Sequence, residues 1–107
     1  MYKLVYITCS NNKEAEKIAQ KLISENLAAC INIFPIKSIY KWKNVIQNNK
    51  EVAMFIKTKN ELVDKIIERV KELHSYEVPC IIALNIEKGN LNFLKWIDET
   101  IGDKFGL

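Results

Sequence analysis

Glycine is scarce in this chain. Its three glycines, Gly89, Gly102 and Gly106, all lie near the C-terminal end. A phosphate-cradling loop needs glycine between a strand and a helix, so the rest of the chain has no place for one. Arginine occurs once, as Arg69, and histidine once, as His74. Cys9, Cys30 and Cys80 form no C-x-x-C pair, and His74 has no second histidine, so the paired spacing of a closed zinc site is missing. Three widely spaced cysteines do not make a disulfide framework; they read as reduced thiols of a cytoplasmic protein. No apolar run approaches the ~18 residues of a membrane span. Met1 to Ile7 alternates as a strand does, not as a signal sequence. Lysines and acids are interleaved at a net charge of +3, which leaves no basic block for nucleic acid.

What is present is a hydrophobic fraction of 49% in 107 residues, enough for one two-layer domain spanning 1–107. Tyr2 to Cys9 reads as a strand. Asn11 and Glu14 then open a helix in capping-box spacing, with Ala15, Ile18, Ala19, Leu22 and Ile23 on one stripe. Leu27 to Trp42 reads as a second strand, with Lys43-Asn44 as hairpin tip. A third strand runs through Thr58, where Thr58-x-x-Glu61 spells a second capping box. The helix that follows carries Leu62, Val63, Ile66, Ile67, Val70 and Leu73. Val78-Pro79 stops it, Cys80 to Ile86 is a fourth strand, and Leu91 to Ile101 a last helix. This order predicts an α+β ferredoxin-like β-α-β-β-α-β sandwich with a long hairpin and a C-terminal helix.

Leu27 to Trp42 is too long for such a sheet. At about 3.3 Å per residue it would extend roughly 50 Å, against about 17–20 Å for a typical strand. Pro35 cannot donate to a ladder and is expected to bend the chain, dividing it into an inner half and a half that reaches over a neighbour. Tyr6, Ile31, Ile33, Phe55 and Ile81 give the second sheet face an apolar character as well. Both features point to subunits packing sheet against sheet.

Several residues together resemble a known family. They are Leu27-Ala28-Ala29-Cys30-Ile31-Asn32-Ile33-x-Pro35, Ser38-x-Tyr40-x-Trp42, Glu51, Lys57-Thr58, His74-x-Tyr76-x-x-Pro79 and Trp96-Ile97. In this order they are similar to the CutA divalent-cation tolerance proteins across nearly the whole chain. The resemblance implies a PII-like homotrimer, cytoplasmic, linked to tolerance of copper and other divalent cations. In some bacterial members copper is assigned to a first-strand cysteine and a histidine pair. Those positions fall here on Ile7 and on Leu73-His74, so His74 is the metal-ligand position carried over. Cys9, two residues along and on the same face as Ile7, is not an equivalent.

Two kinds of site follow as expectations. His74 is a candidate ligand for Cu²⁺ or another divalent cation, or else a helix-end residue that caps a carbonyl. Tyr40, Trp42, Glu51, Lys57 and Tyr76 are candidates for a small-ligand cleft between subunits, or else interface anchors. The three cysteines read as buried hydrophobes. Rival uses of the same topology lack their residues. Glu51-Val52-Ala53-Met54-Phe55-Ile56 has no glycine-containing aromatic signature for stacking RNA bases. Arg69 lies mid-helix and provides no acyl-phosphate cradle. A PII-like nucleotide sensor would want its missing phosphate loop, although a small-molecule sensor or a trimeric anchoring module without intrinsic metal binding remains an alternative. With no nucleophile placed beside His74 in the sequence, the expectation is a non-enzyme.

Overall fold

Local chain chemistry sets most element boundaries. The computed structural model describes residues 1–101; Gly102 and Gly106 lie outside them. β1 (Tyr2–Cys9) alternates so that Val5, Ile7 and Cys9 are buried. Asn11 caps α1 (Asn12–Ser24), its side-chain oxygen accepting the Glu14 N–H at 2.9 Å. Glu14 reaches back in turn, but to the Ser10 N–H and not to that of Asn11. The helix ends in a Schellman motif. Asn26 stands at φ 61° and its N–H reaches the Ile23 carbonyl, while the Leu27 N–H reaches that of Leu22. Asparagine tolerates the left-handed conformation that glycine usually supplies there. Leu27 to Ala29 therefore belong to the connection, and β2 is Cys30–Trp42.

β2 and β3 (Val45–Lys59) are joined by Lys43 and Asn44, both at positive φ, 50° and 66°. Two left-handed residues in a two-residue loop are the type I′ turn, whose twist matches the flanking strands. After a 3₁₀ turn (Asn60–Leu62) come α2 (Val63–Leu73), β4 (Ile81–Ile86) and α3 (Leu91–Ile101). The sheet order is β2-β3-β1-β4, every neighbouring pair antiparallel. That is the ferredoxin-like arrangement.

The capping box at Thr58 does not form. Thr58 remains in β3, fully buried, and its hydroxyl donates to the Leu27 carbonyl at 2.7 Å. No side chain caps the 3₁₀ turn or α2. A distant carbonyl has claimed the hydroxyl that a capping box would have turned toward the Glu61 N–H.

Pro35 does not break the ladder either, since it sits opposite Val52 and pairing continues to Trp42. β2 is an edge strand, where a missing donor is tolerated. Pro35 nonetheless marks a boundary. The β1–β3 pairing ends at Cys9 and Val52, so Ile36 to Trp42 and Val45 to Glu51 form a two-stranded arm beyond the sheet. Seven residues a strand project about 23 Å, and the chain measures 49 × 27 × 20 Å.

One sheet face packs on α1 and α2. Val5, Ile7, Cys9, Val52, Met54 and Ile56 meet Ile18, Leu22, Ile66 and Val70 there. Ile31, Ile33 and Ile81 also pack on this core, which corrects their expected place on the opposite face. Strand parity explains it: Ile31 pairs with Ile56 and Ile33 with Met54, so each pair shares a side. The opposite face carries Tyr6 and Phe34 with Phe55, Ile82 and Leu84, the last three exposed. The Phe34 and Phe55 ring centroids are 4.9 Å apart. α3 packs Leu94, Ile97 and Ile101 with Tyr2, Ala29 and Leu62, and its Asp98 accepts from the Tyr2 hydroxyl and pairs with Lys59.

Thr58→Val keeps the shape and removes the donor to the Leu27 carbonyl. It should lower the unfolding free energy by about 1–2 kcal/mol, read from urea midpoints at fixed chain concentration. An unchanged midpoint would remove that bond from the account of how β3 is held.

Candidate functional site

Two groups of polar side chains meet at the end of the sheet from which the arm projects. The first surrounds His74, which ends α2 with its side chain wholly buried. Nε2 lies 2.7 Å from the Thr8 carbonyl, and Nδ1 lies 3.1 Å from the Tyr76 N–H. A carbonyl can only accept and a backbone N–H can only donate. The proton therefore sits on Nε2, and Nδ1 accepts. Glu14 lies beside it, Oε2 at 3.7 Å from Nδ1. Glu14 accepts from the Ser10 N–H and hydroxyl on one oxygen and from the Ser75 N–H on the other. Cys9 completes the group: one donor atom each from Cys9, Glu14 and His74 fall within 4.8 Å of one another.

A thiol, a carboxylate and an imidazole are the donor types that soft divalent cations take. Here the carboxylate and the imidazole are engaged in hydrogen bonds with the protein, and the thiol is buried in the core. Burial, with Glu14 and Glu51 adding their negative charge, pushes the Cys9 thiol up to about 12. Burial alone would raise the Glu14 carboxyl, but hydrogen bonds from Ser10 and Ser75 outweigh it and hold the group down at about 2. The donor set fits such a cation by type. Admitting one means replacing the Ser75 and Tyr76 backbone donors.

The second group lines a cleft of about 850 Å³ between the arm and the segment from Ser75 to Cys80. Tyr40, Trp42, Ser38 and Gln47 line it from the arm, Tyr76 and Glu77 from the segment. Glu51 lies at its base, 7% exposed, accepting the Tyr76 hydroxyl on Oε2. Burial and the Glu51 carboxylate hold the Tyr76 phenol well above its ordinary range, and the same two causes raise the Cys80 thiol. Neither thiol is a ready nucleophile near neutral pH. Tyr40 accepts from the Asn49 side chain at 2.7 Å, and Lys43 Nζ stands 5.8 Å from the centre of the Trp42 ring.

Against known proteins, the model of the CutA1 divalent ion tolerance protein matches residues 3–100. The chain belongs to the CutA1 divalent ion tolerance family. The divalent-cation tolerance protein CutA of Archaeoglobus fulgidus is 48% identical over 94% of this chain and 99% of its own. Protein CutA of Homo sapiens is 44% identical over 86% of this chain, which spans 52% of that longer protein. Among solved structures, the periplasmic divalent cation tolerance protein CutA from Archaeoglobus fulgidus superposes at a TM-score of 0.93, over 94% of this chain and 99% of that one, at 48% identity. The divalent cation tolerance protein from Thermus thermophilus superposes at 0.91, over 95% and 100%, at 42% identity.

Of the residues singled out from the sequence, Tyr40, Trp42, Glu51 and Tyr76 come together in the cleft. Lys57 does not. It points its ammonium at the Asn32 side chain, beside Cys30 on the open sheet face, and lies six residues, about 20 Å, along β3 from Glu51. His74 stands next to the cleft through Tyr76, their rings 4.8 Å apart. Cys9 and Glu14 joined it unforeseen, one read as a small hydrophobe and the other as a cap. The available signal was positional: the last inward residue of β1 and the first turn of α1 are separated by four residues.

Glu14 gives a pH dependence with a definite sign. Its folded value lies below the ordinary one, so its contribution is present above about pH 4.5 and is lost as pH falls toward about 2. The difference in unfolding free energy between the native chain and Glu14→Gln should be flat above about pH 5. It should shrink by up to about 3 kcal/mol on the way to pH 2. A difference that holds constant through this range would refute the assignment.

Proposed function

We propose that this chain works as a cytoplasmic homotrimer in divalent-cation tolerance, with copper among its cations, and that it acts by binding and not by catalysis. One observation carries the assembly. The sheet face opposite α1 and α2 exposes Phe55, Ile82 and Leu84, and the arm continues it with Tyr40, Trp42 and Val45, all exposed. A two-stranded ribbon is marginal by itself in water, and an apolar patch of this extent is what an interface between copies covers. The cytoplasmic part rests on Cys9, Cys30 and Cys80, all free.

For direct copper binding, Cys9, Glu14 and His74 are the residues that would hold the ion. A bound cation would supply positive charge between a thiolate and a carboxylate, stabilising both. The small-molecule sensor reading is favoured by a different observation, the cleft that Tyr40, Trp42, Glu51 and Tyr76 line.

Sedimentation at about 10 µM chain should give three times the chain mass for the native protein and a smaller species for Phe55→Asp with Ile82→Asp. A native monomer would sink the assembly. Calorimetry with Cu²⁺ and with Zn²⁺ should show one saturable site per chain, weakened at least about 10-fold by Cys9→Ala and by His74→Ala. Equal binding by all three proteins would remove this metal site.

A further inference from the structure

We propose that cation binding by Cys9, Glu14 and His74 is coupled to release of the Ser75–Cys80 segment, with Tyr76 as the latch between them. The coupling rests on the metal reading of that group and adds how its occupancy is regulated. Both His74 nitrogens are already committed. Nε2 donates to the Thr8 carbonyl, and Nδ1 accepts the Tyr76 N–H at 3.1 Å. A neutral imidazole has one donor nitrogen and one acceptor nitrogen, and only the acceptor can ligate a metal. With Nδ1 as the ligand atom, the Tyr76 N–H loses its acceptor. With Nε2 as the ligand atom, the ring proton resides on Nδ1, and the Tyr76 N–H faces a second donor. Through either nitrogen the Tyr76 bond breaks. Glu14 presents the same conflict: its Oε2, 3.7 Å from Nδ1, accepts the Ser75 N–H. Consecutive N–H groups of one segment thus stand at two of the three prospective ligands.

Tyr76 is also held from its other end. Its hydroxyl donates to Glu51 Oε2, and a hydrogen bond to a carboxylate is of the stronger kind. Glu51 is not a member of the cation group. It acts on that group only by fixing the residue whose N–H caps Nδ1. What keeps Tyr76 on Glu51 therefore keeps its N–H on His74 and opposes the ion. Coupling between two sites is reciprocal: loosening the Glu51 end strengthens cation binding, and occupancy loosens the Glu51 end. The responding segment runs up to β4 at Ile81. All of these bonds lie within one chain, and the coupling asks for no free surface.

Zn²⁺ serves as a diamagnetic probe on the native protein, with thiols kept reduced and pH and chain concentration fixed. Saturating Zn²⁺ should speed solvent exchange of the Tyr76 amide, read by NMR, at least about 10-fold. The His74 amide, bonded to the Val70 carbonyl, should hold its rate and serves as the internal reference. In calorimetry, Tyr76→Phe should bind Zn²⁺ about 5-fold or more tighter than the native chain. The hydroxyl it lacks bonds Glu51 and no residue of the cation group, so a merely structural role would leave affinity unchanged or lower it. Zn²⁺ binding that Cys9→Ala and His74→Ala weaken, with the Tyr76 amide as protected as before, overturns this proposal and leaves the metal reading standing. A folded Tyr76→Phe of unchanged or weaker affinity does the same. Zn²⁺ binding indifferent to Cys9→Ala and His74→Ala removes the metal reading and the coupling with it. Should Tyr76→Phe fail to fold, the amide rates of the native protein decide alone.

Discussion

β3 is asked to serve two strands that do not end together. It pairs with β2 from Val45 to Lys57 but with β1 only from Val52 to Lys59. That offset decides what each part of β3 can do. The residues flanked on both sides, Val52 to Lys57, supply Met54 and Ile56 to the core, and Thr58, just past the end of the β2 pairing, lies under the Leu27 carbonyl. The residues flanked by β2 alone become the arm. Glu51 is the first residue past the end of β1. There the sheet no longer covers it and the segment after α2 does, so a carboxylate becomes buried at a strand position that would otherwise face water.

The same segment is tethered twice by carboxylates from different elements. Glu14 of α1 holds the Ser75 N–H, and Glu51 of β3 holds the Tyr76 hydroxyl. His74 stands between these tethers, committed on one nitrogen to β1 and on the other to Tyr76. The group around His74 and the cleft therefore share a wall. A change in the bonds of Glu14 or His74 is felt at Tyr76, one or two residues along the chain.

How far the residues alone could be read varied by kind of signal. Strand and helix order followed from periodicity, and the Asn11 cap from local spacing, because these are decided within a few residues. The hairpin tip was located, but its I′ geometry was hidden, since Lys43 and Asn44 stand where glycine usually announces it. Asn26 hid the end of α1 for the same reason, which lengthened the expected β2 by three residues. Thr58 and Glu61 satisfied a local pattern that a distant carbonyl overrode. Ile31, Ile33 and Ile81 were misplaced because a face is fixed by register, and register depends on the partner strand. In the cleft, aromatic and acidic residues far apart in sequence come together within one chain, where a cleft between subunits was expected. Lys57 does not join them, because it lies on the part of β3 that keeps both neighbours.

The type I′ turn at Lys43 and Asn44 closes an arm whose apolar side chains find no cover within their own chain. An element of this kind contributes little to the free energy of an isolated subunit and a good deal once association covers it. In the proposed assembly, folding and association would be linked by mass action: dilution would weaken the fold itself, and resistance to heat would rise with the amount of protein present.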